Sequence, residues 1–397
     1  MSFTPKIAII GAGPGGLTLA TLLQRNQIPY TIYELESGPD ARNQGGTLDL
    51  HQNSGQLALR EAGLIEEFRD KARPEGEALK IVSPEGEVLW NENSHGGPDR
   101  PAESADRPEI DRVVLRDILL NSLNPDSICW NKKLQRIEPG ADNTHDLYFA
   151  DNCVEKSFDI VVGADGAWSK VRPLLTDEKP YYCGISAIEL WALDVETRYP
   201  WLSEYVGAGS CFMFDEGRAL FSQRNGNGSI RSYACVRQGE GWAQDCGIDW
   251  TKPETARREL VERYFGDCAE DLKRVILESR DELILRALYV LPIGITWPSH
   301  PGVTLLGDAA HLMTVFAGVG VNVAMHDALD LANAIVAWKK SGARRSGLAD
   351  AIKGYETRML ERGEENAQHS WKNMGMSFSK GGGEKMVEML KGFGVRG

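Results

Sequence analysis

Three uninterrupted apolar runs in this chain each end at a glycine: KIAII at Lys6–Ile10, DIVV at Asp159–Val162, and GVTLLG at Gly302–Gly307. Short, β-branched runs with no polar alternation are the pattern of strands covered on both faces, as in a parallel sheet. The first leads into a helical pattern at Leu17–Arg25 and a further strand at Tyr30–Tyr33, and the third into a helical pattern at Asn322–Trp338. The middle of the chain has another rhythm. From Tyr181 to Leu285, pieces such as AIELWAL, SCFMF, RALFS and SIRSYACV are separated by turns such as RNGNGS at Arg224–Ser229. That predicts an antiparallel sheet with one face over a cavity. Tyr355–Trp371 predicts a long charged helix; SKGGGEK at Ser379–Lys385 breaks it, and MVEMLKGFG forms a short last helix. His95–Arg107, rich in Pro, Gly and charge, predicts an exposed loop. No internal repeat is present.

The turn after the first run carries G-x-G-x-x-G at Gly11, Gly13 and Gly16, with Pro14 inside it. Gly11 allows the tight turn, Gly13 lets backbone approach a pyrophosphate, and Gly16 lets helix and strand pack closely. The following helix directs unpaired N–H groups at the phosphates. Glu34, at the tip of the second strand, is placed to accept from a ribose hydroxyl, which favours FAD or NAD over a 2′-phosphorylated dinucleotide. Strand, turn, helix, strand and terminal acid together make this a dinucleotide site rather than a glycine-rich turn. The second run ends in GADG, where Asp165 taken alone reads as an ordinary turn residue. The third ends in GDAAH, where Asp308 sits among small and apolar residues; a helix N-cap is its plain alternative. His311 reads as a packed, hydrogen-bonded core histidine.

The net charge of −13 and the absence of a basic run argue against nucleic acid or an anionic membrane as partner, leaving a small molecule. Ile7–Leu23 is uncharged, but glycines and a proline interrupt it and it is short for a span, so a targeting or membrane segment is not expected. The seven cysteines form no C-x-x-C pair and the histidines have no H-x-x-x-H spacing; free thiols, a cytoplasmic location and no protein-bound metal are expected.

GAGPGG, GADGAWSKVR and GDAAH, in this order and spread over most of the chain, resemble the three marks of the FAD-dependent aromatic hydroxylases typified by p-hydroxybenzoate hydroxylase. GGTLDLH at Gly45–His51 and PEIDRVVLRDILLNSL at Pro108–Leu123 resemble one branch of that family, the tetracycline-inactivating flavin monooxygenases. The resemblance implies an α/β fold with a Rossmann-like FAD-binding domain (residues 1–75, 101–178 and 286–345). It also implies an antiparallel-sheet substrate domain (76–100 and 179–285) and a C-terminal helical segment (346–397) bridging them. It implies FAD contacts from Arg42, Asp49, Arg112, Asp165 and Asp308, the last toward the ribityl chain. Backbone N–H groups of Gly320, Val321 and Asn322 would face the flavin's pyrimidine edge, where a helix N-terminus stabilises developing negative charge.

A loose match puts Glu189, Ser210, Phe212, Phe221 and Arg231 at the substrate. Glu189, Ser210 and Arg231 stand where the tetracycline group has Gln, Arg and His, so the polar side of the pocket differs. The implied activity is a monooxygenase in which NADPH or NADH binds transiently and reduces FAD. O2 then forms a flavin C4a-hydroperoxide that hydroxylates an electron-rich aromatic or polycyclic substrate, a tetracycline or related polyketide being the expected class. No catalytic base is required, and a monomer is expected. No second G-x-G-x-x-G exists for the nicotinamide, and no W-x-W-x-I-P marks a halogenase. A flavin-linked dehydrogenase or reductase, or a non-catalytic drug-binding flavoprotein, stays open. Thr314 and Val315 replace prolines of the tetracycline group, Val319 replaces a common Gln, and Leu35 stands where Arg often follows the ribose-binding acid. Without those prolines, a less rigid loop is expected after GDAAH.

Overall fold

The computed structural model describes residues 3–41, 45–93, 106–342 and 344–392. The apolar runs form a five-stranded parallel sheet in the spatial order Val303–Leu305, Ile160–Gly163, Ile7–Ile10, Tyr30–Tyr33, Ile128–Cys129. The strands Ile7–Ile10, Ile160–Gly163 and Val303–Leu305 are buried at every position. Helices cover the sheet: Pro14–Arg25 packs on Gly320–Lys340, and that helix packs in turn on Arg345–Ser377. The first helix begins at Pro14, the pre-organised first position, with Gly13 as N-cap.

The second unit is a seven-stranded sheet in the order Glu282–Val290, Tyr181–Ala192, Ile230–Arg237, Arg218–Arg224, Ser210–Asp215, Leu79–Val82, Val88–Asn91. All pairings are antiparallel except Ser210–Asp215 with Leu79–Val82. The alternation sorts its residues by face. Ile188, Leu190, Met213, Leu220, Ala234 and Val236 pack under the helices Pro200–Val206, Pro253–Tyr264 and Glu270–Glu278. The other face looks toward the parallel-sheet unit. The expected boundary between residues 285 and 286 cuts the strand Glu282–Val290, which belongs to this sheet throughout. That edge strand is largely exposed, so burial did not mark its end in the sequence. Most of the expected His95–Arg107 loop lies outside the described residues; residues 106–107 are exposed bends.

The charged helix extends over Arg345–Ser377, longer at both ends than its pattern predicts, and Gly382–Gly392 follows. The long helix packs on the parallel-sheet unit and the last helix on strands of the seven-stranded sheet, so the tail touches both units. Its anchor is a buried ion cluster. Asp327 is fully buried; Oδ2 accepts from His311 Nε2 at 2.6 Å and from the Gly307 N–H at 3.0 Å. Its Oδ1 accepts from Arg362 Nη2 at 2.8 Å and Nε at 3.1 Å. Gly363 has no side chain because a Cβ there would lie 2.9 Å from the His311 ring. His311 is therefore the packed, hydrogen-bonded histidine that the sequence predicts.

Removing one partner of such a buried pair leaves a charge uncompensated. Asp327→Ala is expected to cost about 3–5 kcal/mol, read as the fall in stability to chemical denaturation. Burial opposes the His311 imidazolium, but the Asp327 carboxylate and its hydrogen bond outweigh burial and hold the pKa above the ordinary value. That contribution is complete below about pH 6.5 and is lost as pH rises through the folded-state pKa; Asp327→Ala abolishes the dependence.

Candidate active site

The motif turns meet because their strands are neighbours in register. Ile10 lies beside Gly163 and Tyr33, and Gly163 lies beside Leu305. Gly11–Gly16, Glu34, Asp165 and Asp308 thus leave the carboxyl edges of adjacent parallel strands, where open α/β sheets bind ligands. The glycines separate into two kinds. A Cβ on Gly11 (φ +108°) would lie 2.4 Å from the Ala164 carbonyl oxygen, and one on Gly16 would lie 2.2 Å from that of Gly11. These two serve the packing of the chain on itself. A Cβ on Gly13 or Gly320 would meet nothing within 4 Å, so their bareness clears space outside the chain.

Glu34 is buried and braces the glycine turn: Oε2 accepts from the Ala12 N–H at 2.5 Å and Oε1 from the Glu36 N–H at 2.9 Å. Asp165 Oδ1 accepts from Ser169 Oγ and Oδ2 from the Lys170 N–H, both at 2.6 Å. Its carboxylate therefore holds its own turn, and its backbone is what lies against Gly11. Arg172, in the same motif, is buried and donates to the carbonyls of Ala309 (3.1 Å) and Ala167 (2.6 Å). It ties the second motif to the third, a role that sequence reading missed because Arg172 lies far from Ala309 along the chain.

Asp308 differs from both acids. It opens the short helix Asp308–His311, whose N-cap is Gly307, so the N-cap reading fails. Its carboxyl reaches the open cleft, and among the described residues no protein donor bonds it. Protein packed around the cleft raises its pKa by desolvation, and His311 and Arg112 counter that. The Arg112 N–H donates to Gly46 O at 2.9 Å, and its charge is also felt by Tyr233 across the cleft. Beside it the helix Gly320–Lys340 starts without any side-chain cap, leaving the N–H groups of Gly320, Val321 and Asn322 free of intrahelical acceptors. The Asn322 side chain is committed elsewhere. It accepts from the N–H groups of His51 (2.8 Å) and Gly55 (3.3 Å) and donates to Asp49 O at 2.8 Å, fastening the TLDLH segment to this helix. Asp49 Oδ1 lies 3.6 Å from where a Gly318 Cβ would sit, at the cleft edge. Arg42 lies outside the described residues.

The five residues expected at the substrate fall on one face of the seven-stranded sheet, in two adjacent cross-strand rows. One row runs Glu189, Tyr233, Phe221, Phe212, and the other Trp191, Arg231, Gln223, Ser210. Phe212 and Phe221 are half-buried with ring centroids 5.1 Å apart, and Phe221 is 5.7 Å from Phe316. Ser210 is buried. Glu189 is also buried and faces arginines rather than open space: Oε1 accepts from Arg231 Nη2 at 2.6 Å and Oε2 from Arg286 Nε at 2.9 Å. Those pairs hold its pKa below the ordinary range despite desolvation. Arg231 lies against the Trp191 and Tyr233 rings and also donates to the Gly45 carbonyl, joining the two units. Burial pushes the Tyr233 phenol up to about 12. Tyr233 and Gln223 were not singled out in the sequence, although their place in the alternation marks them.

The FAD-binding-domain family profile matches residues 4–370. The chain belongs to this family. The monooxygenase penA of Penicillium thymicola is 30% identical over 97% of this chain and 98% of its own length. The protein is an FAD-dependent monooxygenase. Klebsiella pneumoniae HpxO, solved with FAD and uric acid, superposes with TM-score 0.76 at 21% identity, covering 97% of this chain and 92% of its own. The tetracycline destructase Tet(51) superposes with TM-score 0.66 at 19% identity, covering 94% and 92%. Both share the fold. The cleft fits FAD: Gly13 and Gly320 are bare toward it, Asp308 offers a free acceptor, and an uncapped helix N-terminus faces it.

The segment that lacks the prolines is held by other means. Ser370 Oγ donates to Thr314 O at 2.6 Å and lies 2.6 Å from Thr314 Oγ1, while Asn373 donates to Phe316 O at 3.3 Å. The long helix thus supplies the restraint expected to be missing; Val315 is exposed, as is Leu35.

Gly13→Val is expected to match the wild-type apoprotein in thermal stability yet purify nearly free of FAD, whereas Gly16→Val should not fold. Asp308→Ala should weaken FAD binding roughly 10- to 100-fold, the worth of one hydrogen bond to a charged group. Flavin absorbance against protein concentration checks both, and an Asp308→Ala protein with full flavin content would exclude a role for Asp308 in cofactor binding.

Proposed function

We propose that this monooxygenase uses NAD(P)H and O2 to hydroxylate an electron-rich aromatic or polycyclic small molecule, of which a tetracycline or related polyketide is the leading class. The observation that carries the reading is the half-buried aromatic face of Phe212, Phe221 and Tyr233, where the Phe221 ring lies 5.7 Å from that of Phe316, two residues before Gly318. Bound FAD supplies the redox chemistry, accepting electrons from the nicotinamide and activating O2. The chain's task is to hold and orient. Gly13, Glu34, Asp49, Arg112, Asp308 and the N–H groups of Gly320–Asn322 hold FAD, with the Asp165 turn pressed against the glycine loop. The aromatic face takes a flat substrate by edge and face contacts. Apolar walls and the braced 314–317 segment keep water from the reacting atoms.

The parallel-sheet unit is the FAD domain, the seven-stranded sheet through Val290 is the substrate domain, and the C-terminal helices bridge them. The cysteines are free; a cytoplasmic monomer is part of this proposal. Among the described residues no helix is long and apolar enough to cross a membrane.

Substrate-dependent consumption of NADPH or NADH, followed by product mass, tests the reading. A tetracycline or a simpler polyketide phenol should stimulate consumption and gain one oxygen atom. Oxidation without oxygen gain would replace the reading with a dehydrogenase, and an unchanged, tightly held ligand with a binding protein.

A further inference from the structure

The strands Thr47–Asp49 and Glu109–Asp111 form a two-stranded antiparallel ribbon with Thr47 opposite Asp111 and Asp49 opposite Glu109. Leu48 and Ile110 turn to the core, so the other face carries only Thr47, Asp49, Glu109 and Asp111. Asp111 is neutralised: Oδ1 accepts from Arg73 Nη2 at 3.0 Å and from the Gly226 N–H at 2.8 Å. Glu109 is equally buried, yet no arginine or lysine among the described residues pairs with it. Its Oε2 takes a hydrogen bond from Thr47 Oγ1. Its cross-strand neighbour is Asp49, whose Oδ2 lies 3.1 Å from His51 Nε2 and whose Oδ1 borders the cleft at Gly318. Directly opposed side chains have Cβ atoms about 5 Å apart, and Glu109, the member withdrawn from water, does not ionise readily beside a second carboxylate.

We propose that Glu109 is a proton store that delivers to the cofactor cleft past its cross-strand neighbour Asp49, with His51 as the link to solvent.

Monooxygenation creates the need: NAD(P)H + H⁺ + O2 + RH gives NAD(P)⁺ + ROH + H2O. The hydride carries both electrons, and one further proton must come from water outside. It leaves the Glu109 carboxyl O–H and ends on the oxygen released as water. Glu109 regains a proton through His51, whose side chain is 29% exposed. The surrounding charges are consistent with this store. Burial, then Asp49, push the Glu109 carboxyl up to about 7, while Thr47, Arg73 and Arg107 pull it down. Gly76 of the turn Pro74–Glu77 packs on Glu109; of that turn's acids, Glu77 accepts from the Arg107 N–H at 2.6 Å and Glu75 is exposed.

Infrared titration of the FAD-loaded protein tests the store without turnover, and so independently of the substrate reading. A protonated-carboxyl band should titrate near neutrality, shift on ¹³C-labelling of Asp and Glu, and vanish in Glu109→Gln. In the same variant, kcat below neutrality should drop roughly 10²-fold, and its fall with rising pH should flatten. A purely structural Glu109 would leave that pH profile in place. No titrating band in the wild type, or a Gln variant that keeps both band and profile, overturns the proposal. Should the variant not accumulate, the wild-type band decides: its presence supports the store and its absence overturns it.

Discussion

Everything functional here depends on the register of parallel strands. Because Ile10, Gly163 and Leu305 end side by side, three turns separated by well over a hundred residues each emerge on one edge of one sheet. Hydrogen bonds fix the edge: Gly11 N–H donates to Tyr33 O at 2.9 Å, Ala164 N–H to Ile10 O at 2.8 Å, and Leu306 N–H to Gly163 O at 3.0 Å. Each bond takes the first residue of a turn and binds it to the last residue of the neighbouring strand. A slip of one residue would move Asp308 and the glycine turn apart and reverse every side chain on the slipped strand. The bareness of Gly11 and Gly16 then lets the turns close on one another, which leaves Gly13 as the one glycine of the motif open to a ligand.

This much was legible in the sequence, because it rests on local signals. Apolar runs ending at glycine report buried strands; the acid closing the second strand, Glu34, takes the Ala12 and Glu36 N–H groups and braces the glycine turn. Alternation in the central region also reported which side chains share a face, and Ser210, Phe212, Phe221 and Arg231 do share one with Glu189. What was not legible are pairings whose partners lie far apart along the chain with no periodicity linking them. Asn322 carries its amide to residues 49–55, Arg172 reaches Ala309, and Arg362 reaches Asp327. Glu189 shows the same limit within a correct expectation. Its face was readable, but its burial behind two arginines was not, since a carboxylate on a sheet face looks the same in sequence whether it meets ligand or salt bridge.

The two units are joined by polar clamps as much as by apolar packing. Arg231 is drawn to Glu189, stacked on Trp191 and Tyr233, and bonded to the Gly45 carbonyl, which pins the segment leading into the TLDLH strand. Across the cleft, Ser370 and Asn373 of the long helix hold the 314–317 segment, and Phe316 links Phe221 to Phe378. These contacts restrain opposite walls of one cleft through different chain segments. The C-terminal helices are therefore part of the site's frame: the residues that replace proline rigidity beside the cleft belong to the tail.

A cleft framed this way faces two opposed demands. The reacting atoms need an environment poor in water, yet an oxygen atom released as water takes up protons that have to reach it. Apolar walls satisfy the first demand and defeat the second. A ribbon that turns Leu48 and Ile110 inward and lines its other face with carboxyls and a hydroxyl meets both, since protons pass along hydrogen-bonding side chains without bulk water. The asymmetry within the ribbon is what gives it direction. Asp111 is locked by Arg73 and a backbone N–H, whereas Glu109 takes a hydrogen bond from the Thr47 hydroxyl and feels Arg73 and Arg107 only at longer range, so the exchangeable proton is placed at the end nearest Gly318.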